Sequence, residues 1–283
     1  MTLALRRPQT VIEAGDGAGA YWKDLWNYRS LLRFLVRRDL TVHYRQTVIG
    51  VAWALLRPLL TIAVFSVFGA VFQTGTEGLP RVLLVAPAAL LWQLFSSSVT
   101  DASNSLIANA NLITKVYFPR SIVPLSSVVV CLVDFLVALS ILAVLMFWYG
   151  YVPGATVLLV PIFVLLALMS ALGAGLLLSA LNVKYRDFRY IVPFMVQLGL
   201  YVSPVAFSSS AIRASTRVPP ILKALYFLNP MVAPIEGLRW SLLGARFPIP
   251  APAVALSAGV GLALLLGGNA YFRRAESSFA DVI

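Results

Sequence analysis

Charge is what this sequence of 283 residues has least of: Asp, Glu, Lys and Arg make up 12% of it, against about 25% in an ordinary soluble domain. With 60% hydrophobic residues, this excludes a soluble enzyme and implies one membrane domain, with no room for a second catalytic one. The single cysteine, Cys131, lies in an apolar run. One thiol builds neither a disulfide framework nor a thiolate metal site within a chain. His43 is the only histidine, so a His-based metal site is excluded as well. It reads as an interfacial side chain, not a switch. Glu77, Asp101, Asp134 and Glu236 stand isolated in the sequence, giving no paired carboxylates for acid–base work. No GxxxxGK[ST] loop is present to cradle ATP phosphates, and GxSxG, HExxH and CxxC are also missing. The expectation is a non-enzymatic chain that binds no cofactor and no metal of its own. Met1–Ala20 carries Arg6 and Arg7 with no apolar core behind them, so no secretory signal is expected.

What is present is a series of long apolar runs. The first, Val51–Phe72, has Arg57 as its only charge and follows a lead-in bearing Arg33, Arg37, Arg38 and Arg45. A bilayer core of about 30 Å needs about 20 apolar helical residues, and basic flanks mark the cytosolic side. Repeating this reading predicts an all-α integral membrane protein. Its six spans lie near 51–72, 82–103, 122–148, 156–181, 191–207 and 251–272, with both termini cytosolic. The net charge of +11 would suggest nucleic acid in a soluble protein. Here the basic residues flank apolar spans, so they read as topology signals and contacts to membrane lipid, not nucleic acid.

The remaining segments divide as follows. Residues 1–20 form a flexible cytosolic tail, and 21–50 hold an amphipathic helix and the basic lead-in. Over residues 21–32, Trp22, Leu25, Trp26 and Leu32 share one face; the helix lies in the headgroups or packs on the protein's own surface. The second span turns polar at Gln93, Ser96, Ser97, Ser98, Thr100 and Asp101, which predicts a wet or tightly packed interior. Asp134 is a lone acid in the third span, open to a functional or a hydrogen-bonding role. Trp148, Tyr149 and Tyr151 make an outer aromatic belt, and Ser170, Gly173 and Gly175 allow close helix contact in the fourth span. Residues 104–120 read as a cytosolic connection whose Leu106, Ile107, Leu112, Ile113 and Val116 make a short amphipathic helix ended by Pro119. Such a helix can dock a soluble partner or be plain surface. In the outer segment 208–250, two short apolar pieces flank Asn229-Pro230 and suit a re-entrant pair over 219–245. Its Arg213, Arg217, Lys223, Arg239 and Arg246 either escape the charge rule or meet an anionic cargo.

Five stretches resemble the polysaccharide-export permeases of the type-2 ABC exporter family: RRDLTVHYRQTVIGVAWALLRPLL, LITKVYFPRSIVPL, LNVKYRDFRYIVPF, LNPMVAPIEGLRWSLLG and YFRRAESSFADVI. The likeness runs from about residue 20 to the end. His43 departs from it, where the family more often has a basic residue. The resemblance implies a permease homodimer with two copies of a nucleotide-binding ATPase subunit, which carries the ATP and Mg. It implies a cargo of undecaprenyl-diphosphate-linked O-antigen or related polysaccharide, carried across the bacterial inner membrane from cytosol to periplasm. By the same likeness 104–120 is a coupling helix, with Leu112, Ile113, Lys115, Tyr117, Phe118 and Arg120 docking the ATPase. Arg186 in the 182–190 loop makes a second contact. Asn229, Pro230, Glu236 and Arg239 mark the re-entrant exit. A sugar polymer slides over aromatic faces, which nominates Trp53, Phe65, Phe72, Trp92, Phe95 and Tyr201 as channel aromatics, Trp92 and Phe95 foremost. The competing readings are an exporter of a drug or small lipid, or of teichoic acid or capsule, a membrane glycosyltransferase or phosphotransferase, and a scaffold. A transferase would want clustered acids for a divalent metal.

Overall fold

The computed structural model describes residues 25–45, 51–71, 78–216, 218–244, 251–276 and 279. Residues 1–20, Trp22, Phe72, Glu77, Arg217 and Arg246, and the side chain of Trp53, lie outside what is described. Among the described residues every regular element is helical. In chain order these are α1 (Arg29–Arg45), α2 (Val51–Val71), α3 (Arg81–Ala108), α4 (Ala110–Lys115) and α5 (Ile122–Trp148). A 3₁₀ turn at Ala155–Leu159 leads into α6 (Val160–Lys184), then α7 (Phe188–Val202), α8 (Ser209–Ala214), α9 (Pro220–Phe227), α10 (Val232–Leu243) and α11 (Ala251–Glu276).

Four helical stretches are long and apolar enough to cross a membrane: Arg81–Ala108, Ile122–Trp148, Ala155–Lys184 and Val254–Glu276. Two shorter apolar helices, Leu55–Ala70 and Phe188–Val202, stand beside them. The fifth apolar run ends earlier than its composition suggests. α7 stops at Val202 because Pro204 disfavours helical backbone at Ser203, which is extended. The expected break at residue 103 is absent, and α3 runs on to Ala108. The 104–120 connection is therefore not one amphipathic helix but the last turn of α3, a bend at Asn109, and the short α4. Of the amphipathic helix anticipated at 21–32, residues 21–24 lie outside what is described, and the rest is a single helical turn at 25–27 followed by α1, which continues to Arg45.

α3 is the central helix, and it packs on α5 and α6 along most of its length, with α2 and α7 beside it. Its first half, Leu83–Trp92, is wholly buried. α11 crosses α6 at close range. A Cβ on Gly173 would lie 2.4 Å from the Leu265 nitrogen, and one on Gly268 2.1 Å from the Gly173 oxygen. Small residues let two backbones approach where lipid supplies no hydrophobic drive between helices. Gly175 faces α3 instead, against the Ala102 methyl.

The helix ends sort by charge. One end gathers α1, α4, the α6–α7 loop and the close of α11. Leu35, Leu106, Ile113, Phe118, Val183, Phe272 and Phe279 pack there in one cluster. Asn182 donates to the Ser103 carbonyl at 3.0 Å and binds α6 to α3 at the same end. The opposite end holds the start of α3, the 149–159 turn and α8–α10. Tyr151 donates to the Leu243 carbonyl at 2.6 Å and Thr156 to that of Ser241 at 2.8 Å. α10 closes at Gly244, whose φ of +79° is left-handed backbone suited to glycine.

Candidate functional site

A polar stripe runs down α3. Gln93, Ser96, Ser97, Thr100, Asp101 and Asn104 recur at intervals of three and four, so one face of this apolar helix is hydrophilic for about three turns. Arg57 and Thr61 of α2 and Pro193, Val196, Gln197 and Leu200 of α7 face it across an open groove of about 360 Å³. Gln93 donates to Ser97 at 2.8 Å and Ser96 to the Gln93 carbonyl at 3.1 Å, so the stripe partly satisfies itself. Trp92 also lines this groove and leans on Phe95, their ring centroids 5.3 Å apart. Gly199 of α7 sits on the Trp92 ring, where a Cβ would come within 2.8 Å of it.

The other aromatics nominated from sequence scatter. Phe65 is half-buried against the core, and Tyr201 is exposed on α7 and is not among the residues lining the groove. Trp92 itself is buried, so it is as much a core residue as a groove wall.

A second, more enclosed cavity of about 70 Å³ lies on the other side of the stripe. Arg57, Gln93, Ser97 and Asp101 line both, and His43, Cys131 and Asp134 complete the inner one. The Tyr44 hydroxyl donates to the Asp134 carboxylate, with His43 Nε2 3.9 Å from the other carboxylate oxygen. The Cys131 thiol donates to Asp101 at 3.4 Å. Burial and the Asp134 carboxylate both raise the Tyr44 pKa, so the phenol stays a neutral donor. Here the fold corrects the sequence reading. The lone histidine and two acids that looked isolated share one polar cluster, which nothing in their spacing could reveal. Among the described residues it does not amount to a metal-ligand set of three or more.

At the basic end, Lys115, Tyr117 and Arg186 are exposed and Leu112 is half-exposed. Ile113 and Phe118 point inward and hold the segment from beneath. The Arg120 backbone N–H reaches Glu276 Oε1 at 2.7 Å and its guanidinium reaches the Glu276 carbonyl, fixing the segment to α11. At Asn109, Arg38 of α1 donates to the side-chain oxygen at 2.8 Å.

At the opposite end, Asn229 caps its own turn: Oδ1 accepts the Met231 N–H and Nδ2 donates to Ser203, both at 2.9 Å. With Pro230 it sets the bend between exposed α9 and buried α10. Arg239 is 0% exposed. Its guanidinium donates to the carbonyls of Leu84, Phe207 and Val205 at 2.8–2.9 Å, and approaches Glu236 at 3.4 Å. Glu236 in turn accepts the Ser209 N–H at 2.6 Å. The suggestion that Arg239 meets an anionic cargo does not survive this burial; the residue binds three segments to one another.

A bundle of apolar helices with basic residues massed at one end and a hydrophilic groove along its central helix defines a multi-span membrane protein. The chain matches the model of the ABC-2 type transporter family over residues 30–243, and it belongs to that family. It is 32% identical over 262 residues to the O-antigen export system permease protein RfbA of Myxococcus xanthus, covering 92% of this chain and 98% of that one. Two proteins of the same name from Klebsiella pneumoniae are 27% and 28% identical, each covering 89% of this chain and 95% of their own length.

Proposed function

We propose that this chain is the permease subunit of an ATP-driven exporter that moves undecaprenyl-diphosphate-linked O-antigen, or a related polysaccharide, from cytosol to periplasm. The observation that carries the reading is the groove: hydroxyls, amides and a carboxylate in register along α3, with an aromatic ring at its upper end. Sugars are bound by this combination, polar edges hydrogen-bonding the hydroxyls and a ring stacking on the faces. The groove is open on one side, and a second copy of the chain closes it into a channel. α2 and the short 15-residue α7 join the four long spans, giving six spans with the basic end in the cytosol. The start of α1 and the turn before it lie in the cytosolic headgroups, with Trp26, 69% exposed, and Phe34 turned outward, and α1 then runs along α5 as far as Asp134. α9 and α10 dip in from the periplasmic face as the re-entrant pair. Two copies of a partner ATPase, which binds the ATP and Mg, dock on Lys115, Tyr117 and Arg186.

The test uses a strain lacking this chain, with surface polysaccharide resolved on a gel and undecaprenyl-linked glycan quantified in the cell. Lost surface polymer with lipid-linked polymer accumulating inside is the expected result. Normal surface polymer moves the reading to a small-cargo exporter, and loss without accumulation moves it to synthesis. Of the two rings, Phe95→Ala removes less core packing than Trp92→Ala, and it acts on the groove through the Trp92 ring that leans on it.

A further inference from the structure

We propose that Tyr44 and Asp134 are a positioning pair that links movement of the ATPase-docking segment to the groove, with α1 as the arm between them. The proposal rests on the exporter reading and adds residues it does not name.

The arm is held at its middle and at its far end by contacts far apart in sequence. Near its middle, Leu35 is buried in the cluster that also holds Ile113 and Phe118 of the docking segment. Arg38 donates to Asn109, at the bend where α3 gives way to α4. Any shift of that bend is therefore felt by α1. From Leu35 to Tyr44 the helix rises roughly 14 Å, at 1.5 Å per residue. At that far end the Tyr44 hydroxyl donates to Asp134, placed 12 residues into α5. Asp134 opens on the inner cavity whose wall includes Arg57 and Asp101, and these two also line the groove. The chain of contact is thus continuous: docking segment, Asn109–Arg38, α1, Tyr44–Asp134, cavity, groove.

An acid this deep in an apolar helix is costly and calls for a partner. The hydrogen bond to it comes from Tyr44 of α1, while Arg57 of the neighbouring α2 lines the same cavity, so the surroundings of the acid change when α1 moves. That is the property a transmitted movement requires: a contact with two states, held or broken, that the docking side can bias.

The experiment uses the permease co-expressed and purified with its ATPase and reconstituted in proteoliposomes with lipid-linked glycan. Tyr44→Phe, Asp134→Asn and the double variant are compared for assembly, melting temperature, ATP hydrolysis and glycan moved per ATP. The expectation is that each single variant assembles and hydrolyses ATP but moves about five-fold less glycan per ATP, or worse. The double variant does no worse than either single one, because the two act as one contact. Unchanged glycan per ATP overturns the proposal. So do effects that multiply in the double variant, or losses that simply follow assembly and melting temperature. Should the wild-type complex hydrolyse ATP and move no glycan, the exporter reading fails by itself. The linkage is then judged from amide hydrogen exchange in α1: an ATP-dependent change in wild type that is lost in Tyr44→Phe supports it, and an identical change in both overturns it.

Discussion

Replacing Arg239 with methionine keeps the apolar stem and removes the guanidinium. Three buried carbonyls, those of Leu84, Val205 and Phe207, then lose their donor. A buried acceptor left unmade costs about 1–3 kcal/mol. Pro87 has no N–H for the Leu83 carbonyl, its i−4 partner, so this turn of α3, next to Leu84, is already short of a donor. Glu236 is the lesser loss, since it keeps the Ser209 N–H. Taking the low end for each carbonyl gives about 3 kcal/mol, at the foot of the range of about 3–5 kcal/mol for breaking a buried ion pair from one side. At about 2–4 °C per kcal/mol for a large domain, the melting temperature falls by about 6 °C or more. Arg239→Lys falls in between, because one ammonium cannot span carbonyls approached from three sides of a planar fork. The assay is thermal unfolding of the detergent-solubilised protein by tryptophan fluorescence, with Trp240 adjacent to the site. A methionine variant that melts within about 2 °C of wild type refutes the reasoning. Normal melting with lost export returns Arg239 to the cargo path.

The other predictions are simpler. Gly173→Ala sets a Cβ against the α11 backbone, which cannot turn aside as a side chain does; a loss of about 1–3 kcal/mol is expected in the melting curve. Gly199→Ala meets only the Trp92 ring, so the ring shifts, stability changes by less than for Gly173→Ala, and the effect appears in export rate. Phe118→Ala empties a buried site shared with Ile113 and Phe279 and is expected to cost about 3–5 kcal/mol, measured as melting temperature, before any question of docking arises. Lys115→Glu, at an exposed position, should leave melting unchanged and weaken co-purification of the ATPase.

Much of this protein is legible in the order of its residues. The third apolar run is the helix Ile122–Trp148 to the residue, because apolar length is a local property that needs no partner. Ser170 and Gly173 announce a close crossing, since a missing side chain is visible in the sequence whatever fills the space. The polar run from Gln93 to Asp101 likewise marks α3 as the helix with an interior to line. Sorting of basic residues to one end follows from charge alone.

Tertiary structure decides the rest. Nothing local tells that His43, Tyr44, Asp101 and Asp134 converge, because their meeting depends on how α1, α3 and α5 cross. Arg239 sits in an outer segment where a cation reads as exposed; only the approach of the α3 start and the 205–207 turn shows it buried. Ile113 and Phe118, nominated for docking by resemblance, are buried and hold the segment from beneath. In each case the sequence supplies a side chain of known chemistry, and the crossing of distant helices determines which groups surround it.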